Sequence, residues 1–228
     1  MTRPPMKPSV RVVGQSRQPV LVIDNFSGDV CEIVNIAAAL APFGDSRDTY
    51  YPGIRRHITP ADRDAFAYAE GVIEEIGPFL GDIFGFEWFD WIEASFSMVT
   101  AAPGDLIPGQ RTPHFDSPDP GYLAILHYLS DTEGTAFYRQ RATGVEVVTG
   151  QNADAVTAAG RLAATDSRGY FHGSDAHYEQ IGLVEGVADR LILYRGALLH
   201  SGIIPPGAEL SPDPRKGRLT ANLFGRGR

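Results

Sequence analysis

The chain changes texture once. Up to about residue 85 the apolar positions recur three and four residues apart; beyond it they come as short aromatic and β-branched runs cut by Gly, Pro and Asp. The first pattern is that of amphipathic helices and the second that of strands. VLVID at 20–24 reads as a strand, with Asn25 and Ser27 signalling a helix start behind it. Val30, Ile33, Val34, Ala37 and Leu40 then trace one helical face that ends by Gly44. Thr59 as N-cap, Pro60 in the first turn and Asp62 among the first amides predict a second helix, whose buried stripe is Phe66, Ala69, Val72, Ile73 and Ile76. Gly77 and Pro78 are expected to break it before a short turn through Leu80 and Ile83. Strands are predicted near 86–91, 94–101, 110–115, 122–129, 135–139, 145–149, 177–184, 190–195, 197–201 and 217–224, with one helical insertion in the Ala-rich stretch 151–166.

Helices first and strands afterwards make an α+β fold: one domain over 19–228, with helical support at 19–85 and a β core at 86–228. Residues 1–18, punctuated by Pro4, Pro5 and Pro8 and solvated by Arg and Lys, are expected to form a flexible arm. A net charge of -8 leaves no broad basic surface for nucleic acid or for anionic lipid. No apolar run precedes Val20, so a secretory signal or a membrane span is not expected. Cys31 is the one cysteine, which excludes an intrachain disulfide and a cysteine-based zinc cluster and suits a cytoplasmic protein.

The chemistry centres on His114-Phe115-Asp116. On a strand, residues i and i+2 share a face, so an imidazole and a carboxylate can reach one ion while Phe115 packs behind. Six histidines among 28 acidic residues give about one such spacing by chance, so the pair carries weight only with its surroundings. Residues 122–138, YLAILHYLSDTEGTAFY, read as a strand, an acidic turn and a return; residues 190–202, RLILYRGALLHSG, read as two apolar strands around a tight turn, the second ending at His200. Two imidazoles and one carboxylate on one face of an ion leave positions open for O2 and a chelating substrate, an arrangement that suits non-haem Fe(II). In KGRLTANLF, an inward Arg218 could grip the remote carboxylate of a dicarboxylate in bidentate fashion, with Thr220 two residues on adding a hydroxyl.

His114-x-Asp116, then Glu133-Gly134-Thr135-Ala136-Phe137, then Arg190 to Tyr194, His200 and Gly217-Arg218, taken in this order, resemble the Fe(II)/2-oxoglutarate-dependent oxygenases, nearest to their prolyl-4-hydroxylase-like branch and of bacterial type. The resemblance spans about residues 94–224. It implies a double-stranded β-helix (jelly-roll or cupin-like) core with N-terminal supporting helices, His114, Asp116 and His200 as iron ligands, and Arg218 as the anchor of 2-oxoglutarate. It also implies a dioxygenase that hydroxylates an amino acid, a peptide or a small metabolite with O2. Relatives often carry a tyrosine against 2-oxoglutarate on the strand before the His-x-Asp motif; Thr100 stands at that position here. The interval from His200 to Arg218 is also longer than usual, with Arg215 and Lys216 as neighbouring cations.

Two other readings of the same residues remain. A cupin-like metalloenzyme would use the triad without 2-oxoglutarate, and a non-catalytic β-sandwich binding module would use neither. His172, Asp175 and His177 in FHGSDAH are expected in a loop, and His127 in the core, donating to a backbone carbonyl. Arg139 and Arg141 are expected to be solvated. The aromatic run at 84–92 is a candidate contact for a homodimer.

Overall fold

The computed structural model describes residues 4–45 and 50–228. Strands β1 (Lys7–Val13) and β2 (Gln18–Asp24) lead into helix α1 (Val30–Ala39). Short strands β3 (Gly44–Asp45) and β4 (Gly53–His57) precede helix α2 (Arg63–Phe79). Strands β5 (Phe89–Val99), β6 (Tyr122–Tyr128) and β7 (Thr132–Gln140) come next, then helix α3 (Ala153–Asp166). The chain closes with β8 (Tyr178–Gly186), β9 (Arg190–Arg195), β10 (His200–Gly202) and β11 (Leu219–Gly227).

The strands form an eight-stranded sheet, β1-β2-β9-β6-β11-β5-β4-β3, and a three-stranded sheet, β10-β7-β8, with every pairing antiparallel. Alternation along each strand sends side chains to two different cores. Leu21, Leu123, Leu193 and Leu223 meet Ala69, Val72 and Ile76 of α2 on the outer face of the large sheet. Val22, Ala124, Tyr128 and Ile192 meet Phe137 and Val184 between the sheets. On the far side of the small sheet, Ala136, Tyr138 and Leu199 pack with Val156 and Ala163 of α3. The layers therefore run helices, large sheet, small sheet, helix, and the space between the sheets is left for the site.

Several local expectations change. Residues 7–13 are not a loose arm: they form the edge strand β1, paired with β2 from Lys7 to Val13. Exposed Pro8 is tolerated there because an edge strand has one unpaired side. Helix α1 starts later than Asn25 and Ser27 suggest, with the Asp29 carboxylate capping the Glu32 N–H at 3.1 Å. In α2 the cap is reversed: Asp62 precedes the helix, and its carboxylate accepts from the Thr59 N–H and hydroxyl. The helix also runs through Gly77 and Pro78 into a wider π-type turn at Leu80–Phe84, because buried Ile76, Leu80 and Phe84 hold it on the sheet. The two strands predicted at 86–91 and 94–101 are one, β5. The segments 110–115 and 145–149 form no strand; each contributes a single bridge, His114 with His200 and Val147 with Leu198. Pro113 lacks the donor a ladder at 110–115 would need.

Candidate metal centre

A reciprocal pair of backbone hydrogen bonds, His114 N–H to the His200 carbonyl at 2.9 Å and His200 N–H to the His114 carbonyl at 2.8 Å, sets the two imidazoles side by side. Their ring centroids lie 4.4 Å apart. Asp116 is fastened by its N–H to the Gly196 carbonyl at 2.7 Å, in the turn between β9 and β10. Its carboxylate oxygens lie 3.9 Å from His114 Nε2 and 3.6 Å from His200 Nε2. All three donor atoms fall within 4.8 Å of one another, and this is the one such His/Cys/Asp/Glu group among the described residues.

The second coordination layer is legible at His200. Its Nδ1 lies 2.7 Å from the Leu198 carbonyl oxygen, which can only accept, so Nδ1 carries the hydrogen and the Nε2 lone pair faces Asp116 and His114. Tyr194 packs edge-on against the same ring, with centroids 4.9 Å apart. Burial pushes His200 down to about 4 against the opposing pull of the Leu198 carbonyl. Desolvation by the cavity walls, then the neighbouring His200, lowers His114 as well. Asp116 is pushed up to about 6, first by burial and further by Glu93, while His114 and Arg55 act the other way. These are donors prepared for a cation: placing a divalent charge among them would favour the ionised carboxylate and the neutral imidazoles.

The triad opens into a cavity of about 790 Å3 between the sheets. At one end, the Arg218 guanidinium reaches the Gly134 carbonyl at 3.4 Å, and its buried Nε has no partner among the described residues. Gly202 on β10 passes so close that a Cβ there would stand 3.3 Å from Arg218 Nη2. Thr220, fully buried on β11, lines the same end. Arg218 and Thr220 thus stand where the sequence suggests, and Arg215 and Lys216 are exposed. Thr100 does not line the cavity. Strand β5 ends at Val99, and the Thr100 N–H turns to the Pro52 carbonyl. A tyrosine is nevertheless present, from the segment leading into the neighbouring strand: Tyr51, just before β4, lies by Arg218, Ser97 and Thr220. Burial raises its hydroxyl above the ordinary value, against the pull of Arg218 and Arg55, so it stays a neutral donor. Tyr51 was missed because the signal for it, Tyr51-Pro52-Gly53, reads as a turn rather than as the start of a strand.

The remaining candidates lie elsewhere. His172, Asp175 and His177 sit in a loop, as expected, where Asp175 accepts from the His177 and Tyr178 N–H groups and His177 pairs with Asp166. His127 is fully buried, but its partners are the Tyr68 hydroxyl at 2.8 Å and the Asp189 carboxylate at 3.1 Å, not a backbone carbonyl. Arg139 pairs with Glu146 and Glu179.

Residues 4–225 match the profile of a family described as a family of unknown function (DUF6445). No curated protein matches the sequence. Among solved structures, HygX from Streptomyces hygroscopicus, with nickel and 2-oxoglutarate bound, is 15% identical with a TM-score of 0.51, over 92% of this chain and 83% of that one. The epimerase SnoN, in complex with Fe3+, alpha-ketoglutarate and nogalamycin RO, is 12% identical with a TM-score of 0.54, over 93% of this chain and 80% of that one. At such identities the likeness is one of fold.

Proposed function

We propose that this chain, which belongs to the family of unknown function DUF6445, is a non-haem Fe(II)- and 2-oxoglutarate-dependent oxygenase with a double-stranded β-helix core. The observation that carries this reading is a single cavity with three convergent metal donors in its wall and a guanidinium with a partnerless buried Nε at its end. The likeness in fold to two structures that hold a metal ion and 2-oxoglutarate supports it. The place nearest the prolyl-4-hydroxylase-like branch rests on the order of motifs.

In this reading His114, Asp116 and His200 hold Fe(II). Two neutral imidazoles and one carboxylate leave the site with a net positive charge that attracts an anionic co-substrate. Bound there, the iron supplies oxidising chemistry in which 2-oxoglutarate and O2 become succinate and CO2 while one oxygen atom enters a substrate C–H bond. The protein positions the reactants and keeps water out. The Leu198 carbonyl fixes the His200 tautomer, and the Tyr194 ring shields it. Arg218 grips the remote carboxylate of 2-oxoglutarate, while the hydroxyls of Tyr51 and Thr220 donate beside it.

The test is equilibrium binding of Fe(II) under anaerobic conditions, then of 2-oxoglutarate. Asp116→Ala is expected to abolish metal binding. Arg218→Ala should leave the metal in place and weaken 2-oxoglutarate by about a hundredfold, the value of a buried charged hydrogen-bond pair. Metal binding without 2-oxoglutarate binding in the wild type would instead favour the cupin-like enzyme.

A further inference from the structure

The cavity wall beside Asp116 carries two further charges of opposite sign, Arg55 and Glu93, and neither has an ion-pair partner among the described residues. Glu93 lies on β5 on the same face as Ser95 and Ser97, opposite Phe224 of β11, and it lines the cavity. Among the described residues its carboxylate makes no hydrogen bond and no ion pair. Arg55 lies on the neighbouring strand β4, opposite Ser97. Its guanidinium is held flat by the Tyr51 ring at 4.5 Å and by Nε donating to Ser97 Oγ at 3.1 Å. Both Nη atoms are left without a partner among the described residues. The charges of Glu93 and Arg55 both act on Asp116 and on Tyr122, which sets them beside the triad. On β11, which pairs with β5 on the side away from β4, the nine-tenths buried Asn222 stands opposite Ser95 and has an Oδ1 with no hydrogen-bond partner among the described residues.

An unmatched cation and anion in a shared enclosure are costly to keep unless a ligand pairs with each of them. They do not pair with each other, and Arg218, the other cation that acts on Tyr51, is taken by the co-substrate in the reading above. We propose that this stretch of wall beside Asp116 is the prime-substrate subsite and that its ligand is a free α-amino acid, with the carboxylate on Arg55, the ammonium on Glu93, and Asn222 accepting a further N–H. The inference rests on the oxygenase reading above, because it places the amino acid beside a metal-bound co-substrate. The cavity falls within the ~300–1,000 Å3 range of small-molecule sites, so two small ligands suit it better than a folded partner. A residue inside a peptide lacks both charges and would leave Arg55 and Glu93 unpaired.

The experiment is calorimetric titration of the full chain, loaded with Zn(II) and 2-oxoglutarate to prevent turnover, with the 20 common α-amino acids and their N-acetyl, N-methylamide forms. At least one free amino acid should bind about tenfold or more tighter than its capped form. Glu93→Gln should erase the preference for a free ammonium over an N-acetyl group, and Arg55→Gln the preference for a free carboxylate over an amide. Affinities unchanged by Glu93→Gln, equal affinity for capped forms, or no amino-acid binding to a protein that does bind 2-oxoglutarate would each overturn the proposal. If 2-oxoglutarate itself does not bind, the oxygenase reading fails and this inference fails with it.

Discussion

Gly196 sets where the Asp116 carboxylate can stand. A Cβ at that position would lie 3.0 Å from Asp116 Oδ2 and 2.7 Å from the Tyr122 ring, while the Gly196 carbonyl also holds the Asp116 N–H. Gly196→Ala should push the carboxylate off the other two donors and weaken divalent-metal binding by about 10–100-fold with little change in folding, read by metal titration alongside thermal melting. Unchanged metal affinity would mean that Asp116 is not held by this contact. At this scale the grouping of His114, Asp116 and His200 was legible because His114-x-Asp116 and a strand-terminal His200 are local patterns. Tyr51 was not, since it enters the cavity from another strand and no spacing in the sequence links it to Arg218. Glu93 and Arg55 were equally silent, because an inward charge on a strand looks the same in sequence as an outward one.

Between elements, a buried polar cluster ties the β8–β9 turn to the turn before α1 and to α2. Asp189, in a left-handed backbone conformation at φ 67°, accepts from the Ser27 N–H and hydroxyl, from the Gly28 N–H and from His127, whose other nitrogen meets Tyr68 of α2. Asp189→Ala removes these acceptors together and leaves buried donors unmatched, so it should destabilise the fold by about 3 kcal/mol, a fall in Tm of roughly 6–12 °C. Asp189→Asn, which tolerates the same backbone, should cost less. A Tm within about 2 °C of wild type for Asp189→Ala would show that the cluster is solvated. The elements themselves were largely legible where period and length agreed, as in α1, α3, β6 and β9. Strands β1 and β4 were not: β1 is an edge strand and β4 is covered on its outer side by the two-residue β3 alone, so KPSVRVV and GIRRH carry cations, and that makes them read as linkers.

Across the whole molecule, the two hydrogen-bonded acids Glu146 and Asp189 and the core histidine His127 make stability fall towards acid, against the single raised carboxyl of Asp116. Burial alone would raise Glu146, but hydrogen bonds from Ser16, Arg139 and Gln15 hold it down to about 2. Asp189 is likewise held at about 2 by His127, Ser27 and Gly28 against its burial. A depressed carboxyl contributes stability above its unfolded value that is lost as pH falls through the folded one. Burial also lowers His127, so below its ordinary value the unfolded chain binds a proton that the folded chain refuses. All three act alike: Tm should be highest near neutrality, decline gently below about pH 6.5 and more steeply from about pH 4.5 towards 2. A Tm flat from pH 7 to 3 would contradict this. Layers on both sides of the large sheet explain why its strands read as continuous apolar runs, and the cavity between the sheets is what the sequence showed only at its metal end. The most direct measurement is succinate formation from 2-oxoglutarate in air with Fe(II), comparing the wild type with Asp116→Ala and Arg218→Ala. Iron-dependent succinate formation that Asp116→Ala abolishes, and that Arg218→Ala recovers only at about a hundredfold more 2-oxoglutarate, is the predicted result; turnover that persists without Asp116, or no iron-dependent succinate formation by the wild type, would contradict it.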